Sequence, residues 1–137
     1  MNAVLHATCV AFDGRGVLIL GPSGSGKSAL GLHLMALGAR LVADDRTQVE
    51  VAEGLFATAP PGLPPLIEAR GVGLLRADPL PRARLVLAVD LGARETERLP
   101  PRREWMHKGH ALPLVHGPMT GHFPAAIRLY ILSGRQD

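Results

Sequence analysis

Residues 21–28 read Gly21-Pro22-Ser23-Gly24-Ser25-Gly26-Lys27-Ser28 and match the pattern G-x-x-x-x-G-K-[ST] at every fixed position. In this pattern the glycines let backbone N–H groups close around phosphate oxygens, the lysine reaches the outer phosphates, and the final hydroxyl can bind Mg²⁺. The stretch therefore predicts a binding site for a nucleoside triphosphate.

Apolar segments flank this loop on both sides. Residues 16–20 predict a buried strand that leads into the loop, and residues 29–37 predict a largely buried helix that leaves it and ends at Gly38. Strand, loop and helix is the order that phosphate binding requires, because the helix N-terminus adds free N–H donors and a positive dipole end. A Gly-Ser linker that matched by chance would lack both flanks.

Composition predicts one globular domain over residues 1–137, since 47% of the residues are hydrophobic and 20% are charged. No apolar run approaches the length of about 20 residues needed to cross a bilayer. The N-terminus lacks the basic start and long apolar stretch of a signal peptide. The lone Cys9 cannot form an internal disulfide and reads as a small buried residue. We therefore expect a cytoplasmic protein with no membrane partner.

The basic residues do not indicate a nucleic-acid partner. The formal net charge is only +3, aromatic residues make up 4% of the chain, and the arginines are spread along it. Nucleic-acid binding needs a concentrated basic patch or a stacking platform. We therefore expect no nucleic-acid partner.

Two hairpins are predicted around the loop and helix. Residues 6–12 and 16–20 flank the turn residues 13–15, and residues 47–51 and 55–58 flank Glu53-Gly54. A short strand is predicted at residues 40–43. Since hairpins pair strands antiparallel, the fold class is α/β with a mixed sheet.

The C-terminal half gives weaker signals. Residues 85–90 predict a core strand, whereas the charges and prolines of residues 91–110 predict a surface loop or flap. Residues 60–65 form a stiff proline-rich loop. Residues 123–132 fit either a helix begun by Pro124 or a strand.

Three acidic residues are candidates to complete the site. Phosphoryl transfer needs metal ligands and a group that accepts the proton of the acceptor hydroxyl, and carboxylates supply both. Asp44 and Asp45 follow a predicted strand whose end should lie beside the phosphates, although a solvated acidic turn is the alternative. Glu68 lies in an apolar run, where an unpaired carboxylate is costly, so it needs either a metal or an ion pair with Arg70 or another arginine. His6 fits a catalytic or a structural role.

Taken in order and spacing, four features resemble the catalytic domain of the HPr kinase/phosphorylase family. They are His6 ahead of the first hairpin, the loop at residues 21–28, Leu-Val-Ala-Asp-Asp at residues 41–45, and Ile-Glu-Ala-Arg-Gly-Val-Gly at residues 67–73. Together they span about the first 75 residues. The resemblance implies a P-loop-containing kinase core.

This resemblance implies a kinase that uses ATP and Mg²⁺ to phosphorylate a serine of the phosphocarrier protein HPr, in regulation of the phosphotransferase system. Family members are typically bacterial, cytoplasmic and hexameric. The usual N-terminal domain is not represented, because the sequence starts almost at the catalytic core. The family's C-terminal Gly-Arg-Asn motif has no counterpart in residues 113–118, so we predict kinase rather than phosphorylase activity.

The resemblance also assigns roles to residues by matching position. Asp44 would be the general base, with Asp45 beside it, while His6 would lie near the transferred phosphate. The remaining roles are Lys27 on the β- and γ-phosphates, Ser28 and Glu68 as metal ligands, and Arg70 and Gly71 as part of the signature that shapes the site.

Two other functions remain open. A small-molecule kinase could use the same loop, but the chain leaves little room for a lid and a dedicated pocket. A regulatory module could bind ATP and a partner protein without turnover. The Lys27, Asp44 and Glu68 set counts against the second, since a module without turnover has no need of all three.

Overall fold

The predicted strand, loop and helix are present in the computed structural model, which describes residues 2–137. The elements are β1 (Asn2–Leu5), β2 (Thr8–Phe12), β3 (Arg15–Leu20), α1 (Lys27–Ala36), β4 (Arg40–Ala43), β5 (Thr47–Ala52), β6 (Gly54–Thr58), β7 (Leu66–Ala69), β8 (Gly73–Arg76), β9 (Arg82–Arg94), β10 (Arg103–His107), β11 (His110–Gly117) and α2 (Phe123–Ser133). The loop of interest lies between β3 and α1.

The main sheet is mixed, as the two predicted hairpins require. Its strand order is β1-β5-β6-β9-β3-β2-β4, and β11 pairs with the second half of β9 and carries β10. The pairs β3–β9 and β9–β11 are parallel, and the other pairs are antiparallel. β7 and β8 form a separate two-stranded hairpin. The expected α/β fold with a mixed sheet is therefore confirmed.

The first hairpin forms where the sequence predicts it because its turn residues accept left-handed backbone angles. β2 and β3 pair from Thr8–Ile19 to Phe12–Arg15. Asp13 and Gly14 at the turn have φ angles of 51° and 76°, the geometry that joins two twisted strands through a two-residue turn. Every residue of β2 is buried, which explains why it reads as an apolar run rather than an alternating one.

Hydrophobic side chains fill both faces of the sheet. Val17 and Ile19 point to the face covered by α1 and α2, whereas Leu18 between them points to the opposite face, as the two-residue period of a strand requires. The helix-side core also contains Leu30 and Leu34 of α1. This packing fixes α1, and hence the loop that leads into it.

β1 and β4, the two strands at the ends of the strand order, are connected by short linkers to strands β2 and β5. β1 pairs with β5 and β2 pairs with β4, so the linkers at residues 6–7 and 44–46 run side by side. The N–H of Ala7 donates to the carbonyl of Asp45 at 3.2 Å. The buried Thr47 hydroxyl donates to the carbonyl of Ala7 at 2.8 Å. These contacts bring the predicted acidic pair beside His6.

The expectation of a surface loop over residues 91–110 is wrong. β9 continues to Arg94, and β10 and β11 form a hairpin across a turn at Lys108 and Gly109, with φ angles of 47° and 82°. Arg103 donates to both oxygens of Glu95 at 3.1 Å, which anchors the remaining connector. The charges that suggested a loop are partly paired with each other.

Residues 123–132 adopt the helical alternative. Pro124, Ile127 and Ile131 are the buried residues of α2, and their spacing of three and four places them on one face. That face packs against α1 and β3. Within residues 2–137, neither helix has the length and hydrophobicity needed to cross a membrane.

Candidate active site

The phosphate-binding loop turns tightly after β3. The N–H of Ser25 donates to the carbonyl of Pro22 at 3.1 Å. Gly21 has a φ of 147°, and a Cβ at this position would lie 2.5 Å from Ser25 Oγ. Only glycine fits there, because both the backbone angle and the space exclude a side chain.

Helix α1 begins directly at the end of this loop and leaves its N-terminus open. Gly26 occupies the N-cap with a φ of 102°, no side chain caps the helix, and its first turn holds no acidic residue. The free N–H groups and the positive end of the helix dipole are therefore available to an anion. This arrangement suits phosphate groups.

Lys27 is folded over the loop. Its side chain is buried, and Nζ donates to the carbonyls of Gly21 at 2.8 Å and Pro22 at 3.1 Å. Ser25 Oγ is buried without a hydrogen-bond partner in the described chain, residues 2–137. A buried unpaired hydroxyl is costly, and a bound phosphate would supply nearby acceptors. The residues present fit a nucleotide.

Asp44 connects three parts of the site. Its Oδ1 accepts hydrogen bonds from the hydroxyls of Ser28 and Thr8, both at 2.7 Å. Its Oδ2 accepts the N–H of Glu68 at 3.1 Å. The carboxylate therefore faces the hydroxyl that the sequence predicts as a metal ligand. Thr8 is a site residue that the sequence analysis missed, since its contact depends on how β2 pairs with β4.

Asp45 points away from these groups and pairs with His6. Its Oδ1 lies 2.8 Å from His6 Nε2, and both side chains are largely exposed. Asp45 has a φ of 67°, a left-handed conformation that aspartate tolerates better than most residues. This backbone turn separates the directions of the two neighbouring carboxylates.

Glu68 is exposed rather than buried, so the expectation of a costly buried carboxylate is wrong. β7 buries Ile67 and Ala69 and turns Glu68 outwards between them, which the sequence could not show because the β7–β8 hairpin lies outside the main sheet. Within residues 2–137, no ion pair joins Glu68 to Arg70. Gly71 forms the tip of the hairpin with a φ of 84°.

A cavity of about 390 Å³ brings most of the predicted residues together. Its lining includes His6, Lys27, Ser28, Asp45, Glu68 and Arg70, together with Ser23, Gly24 and Gly26 of the loop. The residues come from four separate stretches of sequence. Their convergence on one cavity is the main support for a common site.

A second cavity of about 380 Å³ lies on the other side of the acidic residues. Asp45 and Glu68 line both cavities. One part of the wall of the second cavity is apolar and is formed by Leu63, Pro64, Pro65, Leu66 and Leu74, while Asp44 and Arg46 add charged groups. We call it the apolar cavity after the first part. Residues 60–65, which the sequence predicts only as a stiff loop, thus contribute to the site through Leu63, Pro64 and Pro65.

The donor set suits a metal held jointly with phosphates. Among residues 2–137 there is no cluster of three or more His, Cys, Asp and Glu side chains that could hold a metal ion. Mg²⁺ at phosphate sites uses one or two protein oxygens and completes its shell with phosphates and water. Ser28, Asp44 and Glu68 provide such oxygens beside the loop.

The chain is similar to known proteins over the part that contains the phosphate loop and the acidic residues. The sequence profile of the family described as HPr Serine kinase C-terminal domain matches residues 1–80. The HPr kinase/phosphorylase of Limosilactobacillus reuteri is 47% identical over 73 residues, which are 52% of this chain and 23% of that protein. The HPr kinase/phosphorylase of Geobacillus thermodenitrificans is 37% identical over 106 residues, 71% of this chain and 34% of that protein.

The chain therefore spans about a quarter to a third of the length of these relatives. Its fold matches the structure of the Hpr(Ser) kinase/phosphatase from Coxiella burnetii with a TM-score of 0.80 and 22% identity, over 95% of this chain and 94% of that one. At this identity the match concerns the fold alone. It agrees with the kinase core expected from the sequence.

Proposed function

The chain belongs to the family of the HPr serine kinase C-terminal domain, and on this basis we propose that it transfers the γ-phosphoryl group of ATP to a serine hydroxyl of an HPr-like phosphocarrier protein. The observation that carries the proposal is the position of Asp45. This carboxylate lies between the cavity that contains the phosphate loop and the apolar cavity beside it. A proton acceptor between donor and acceptor sites is what phosphoryl transfer requires.

The loop and α1 hold the nucleotide in this proposal. Backbone N–H groups of residues 21–28 and the N-terminus of α1 bind the phosphates, and Lys27 moves from the loop carbonyls to the β- and γ-phosphate oxygens. Ser28, Asp44 and Glu68 would hold Mg²⁺, which neutralises charge on the phosphates when bound. Catalysis then depends mainly on positioning and charge stabilisation.

The hydrogen bonds favour Asp45 over Asp44 as the general base, although the family resemblance alone suggests Asp44. Both oxygens of Asp44 already accept hydrogen bonds, one of them from Ser28. Within residues 2–137, the Asp45 side chain accepts a hydrogen bond only from His6, which would orient it. In the transfer step the seryl proton moves to Asp45, the seryl oxygen bonds to the γ-phosphorus, and the bond to the β–γ bridging oxygen breaks to release ADP.

The apolar cavity supports a protein acceptor over a small polar one. Leucines and prolines form much of its wall, and such a surface suits apolar side chains that flank a serine in a polypeptide. Arg70 lines the nucleotide cavity and would contribute positive charge there.

The test is to incubate the chain with labelled ATP, Mg²⁺ and HPr. We expect phosphate on a serine of HPr, and none when that serine is changed to alanine or when Lys27→Ala replaces the wild-type chain. ATP binding without transfer to HPr would support the sensing module instead. Transfer to a small metabolite but not to HPr would support a small-molecule kinase.

Location, assembly, partners and the reverse reaction belong to the same proposal. We propose a cytoplasmic homohexamer, as the family resemblance implies, without nucleic-acid or membrane partners, as the composition indicates. We also propose that the chain lacks phosphorylase activity. Light scattering gives the mass in solution, and incubation of phosphoseryl-HPr with inorganic phosphate should release no pyrophosphate.

A further inference from the structure

The second half of β9 runs alongside the start of the phosphate loop. β3 and β9 run parallel, with Leu20 opposite Asp90, so β9 continues beside the loop beyond the point where β3 ends. Asp90 Oδ1 accepts the N–H of Gly92 at 2.8 Å. Residues 90–92 therefore form a short ordered segment beside the loop.

Gly92 touches the loop so closely that a side chain has no space. A Cβ at Gly92 would lie 2.9 Å from Cδ of Pro22 and 3.1 Å from Asp90 Oδ1. Carbon atoms in contact normally stay about 3.5–4.0 Å apart. The φ of Gly92 lies outside the left-handed region, so the requirement for glycine is steric and does not come from the backbone angle.

The contact cannot be relieved by a rotamer change. The ring of Pro22 is closed onto its own backbone, so moving Cδ means moving the loop. Gly21 is also close to Gly92, because a Cβ on Gly21 would lie 3.3 Å from the N of Gly92. The carbonyls of Gly21 and Pro22 are also the acceptors of Lys27 Nζ. A shift of Pro22 therefore displaces the lysine as well.

We propose that Gly92 is a positioning residue for nucleotide binding. Through its contact with Pro22 it sets the position of the phosphate loop relative to β9. The inference rests on the nucleotide binding of the proposed function. The loop binds the phosphates that ADP and ATP share, so displacing the loop from this position weakens the binding of both nucleotides. The two residues act as a pair, so the effect of one depends on the other.

The experiment is a double-mutant cycle on nucleotide affinity. We expect Gly92→Ala to weaken ADP and ATP binding by about tenfold or more, since small displacements in a binding site have large effects. In the Pro22→Ala background, which lacks Cδ, we expect the same change at Gly92 to cost less than about threefold. Titration of a fluorescent ADP analogue and of ATP measures each affinity, and circular dichroism checks the fold.

Gly16→Ala is the matched control. A Cβ there would meet Ala83 Cβ and Leu85 Cδ2 at 3.2 Å, a similar overlap at the opposite end of β3. We expect this variant to lower the melting temperature while the folded protein keeps its nucleotide affinity. If Gly92→Ala does not fold, recovery of the folded state by the added Pro22→Ala supports the pairing, and failure to recover overturns it.

The outcomes separate this inference from the proposed function. A wild-type chain that binds neither ADP nor ATP removes the proposed function. A wild-type chain that binds both, with equal affinity in Gly92→Ala, overturns the positioning role alone. An equal loss of affinity with and without the Pro22→Ala substitution also overturns it, since the two residues then act independently.

Discussion

Single residues explain why two adjacent aspartates can take different roles. Asp44 is enclosed by Thr8, Ser28 and the Glu68 N–H, while Asp45 faces the cavity beside His6. The left-handed backbone at Asp45 produces this divergence. Sequence order predicted that both acids lie near the loop, but their division of roles depends on strand register, which no local pattern encodes.

We predict that Asp45→Asn lowers kcat for phosphoryl transfer by about 10²–10⁴-fold, because an amide cannot accept the seryl proton. The affinity for ADP should change little, since accepting the seryl proton plays no part in ADP binding. Steady-state transfer assays and ADP titration measure the two quantities.

Asp44→Asn provides the contrasting variant. Its loss should mainly weaken the Mg²⁺-dependent part of nucleotide binding, because Asp44 bonds the Ser28 hydroxyl. If Asp44→Asn abolishes transfer with Mg²⁺–nucleotide binding intact, and Asp45→Asn does not, the roles are reversed.

At the scale of elements, the N-terminal half was more predictable than the C-terminal half. The loop, α1 and both early hairpins follow from apolar runs separated by turn residues. The sequence did not predict β10, because Arg103 and Glu104 are typical of an exposed loop. Trp105 nevertheless packs against the core on the sheet face opposite the helices, which contains Leu18 and Leu112. The Lys108-Gly109 turn was the local signal for this hairpin.

The β7–β8 hairpin carries a prediction about the acceptor. Leu74 is 68% exposed and lines the apolar cavity. We predict that Leu74→Glu raises the KM for HPr by about tenfold, since a carboxylate opposes burial against an apolar partner, without changing the KM for ATP. Initial-rate measurements with each substrate varied provide both values.

Val72→Glu is the matched control on the same hairpin. Val72 is 75% exposed and is not part of the cavity wall. Its substitution should leave both KM values close to wild type. Equal effects at the two positions would indicate a general electrostatic effect rather than docking in the cavity.

The β10–β11 hairpin carries a prediction about pH. Burial, with Lys108 and His110 nearby, lowers the pKa of His107 below its ordinary value of 6.5, and its Nε2 is buried without a hydrogen-bond partner within residues 2–137. The folded state therefore disfavours the protonated ring. The free energy of unfolding should fall as pH drops from 6.5 towards the lowered pKa, because the unfolded chain binds the proton first.

His107→Phe should reduce this loss while keeping a ring stacked on Trp105. Urea unfolding at several pH values between about 7 and 5 measures the slope. The exposed Met106 on the same strand provides the control through Met106→Leu, which changes no titratable group and should retain the wild-type slope. An unchanged slope in His107→Phe would contradict the assignment.

On the scale of the whole molecule, the site depends on how the pairing of β1 with β5 and of β2 with β4 brings the linkers between them together. His6 and Asp45 are 39 residues apart, and neither belongs to a regular strand. They come together because β1–β5 and β2–β4 are paired on either side of the linkers that contain them. This closure could not be predicted from the sequence, since it needs the complete strand order.

Thr47 stabilises this closure, and its removal tests it. The Thr47 hydroxyl is fully buried and donates to the carbonyl of Ala7. Thr47→Val keeps the shape but leaves that carbonyl without its donor, so we expect the free energy of unfolding to fall by about 1–3 kcal/mol. Because Ala7 adjoins His6, kcat should also fall in the folded protein.

Urea unfolding and transfer assays measure the two effects, and the exposed Thr120→Val should change neither. A loss of stability with kcat unchanged would show that the linkers hold the fold together without positioning His6 and Asp45.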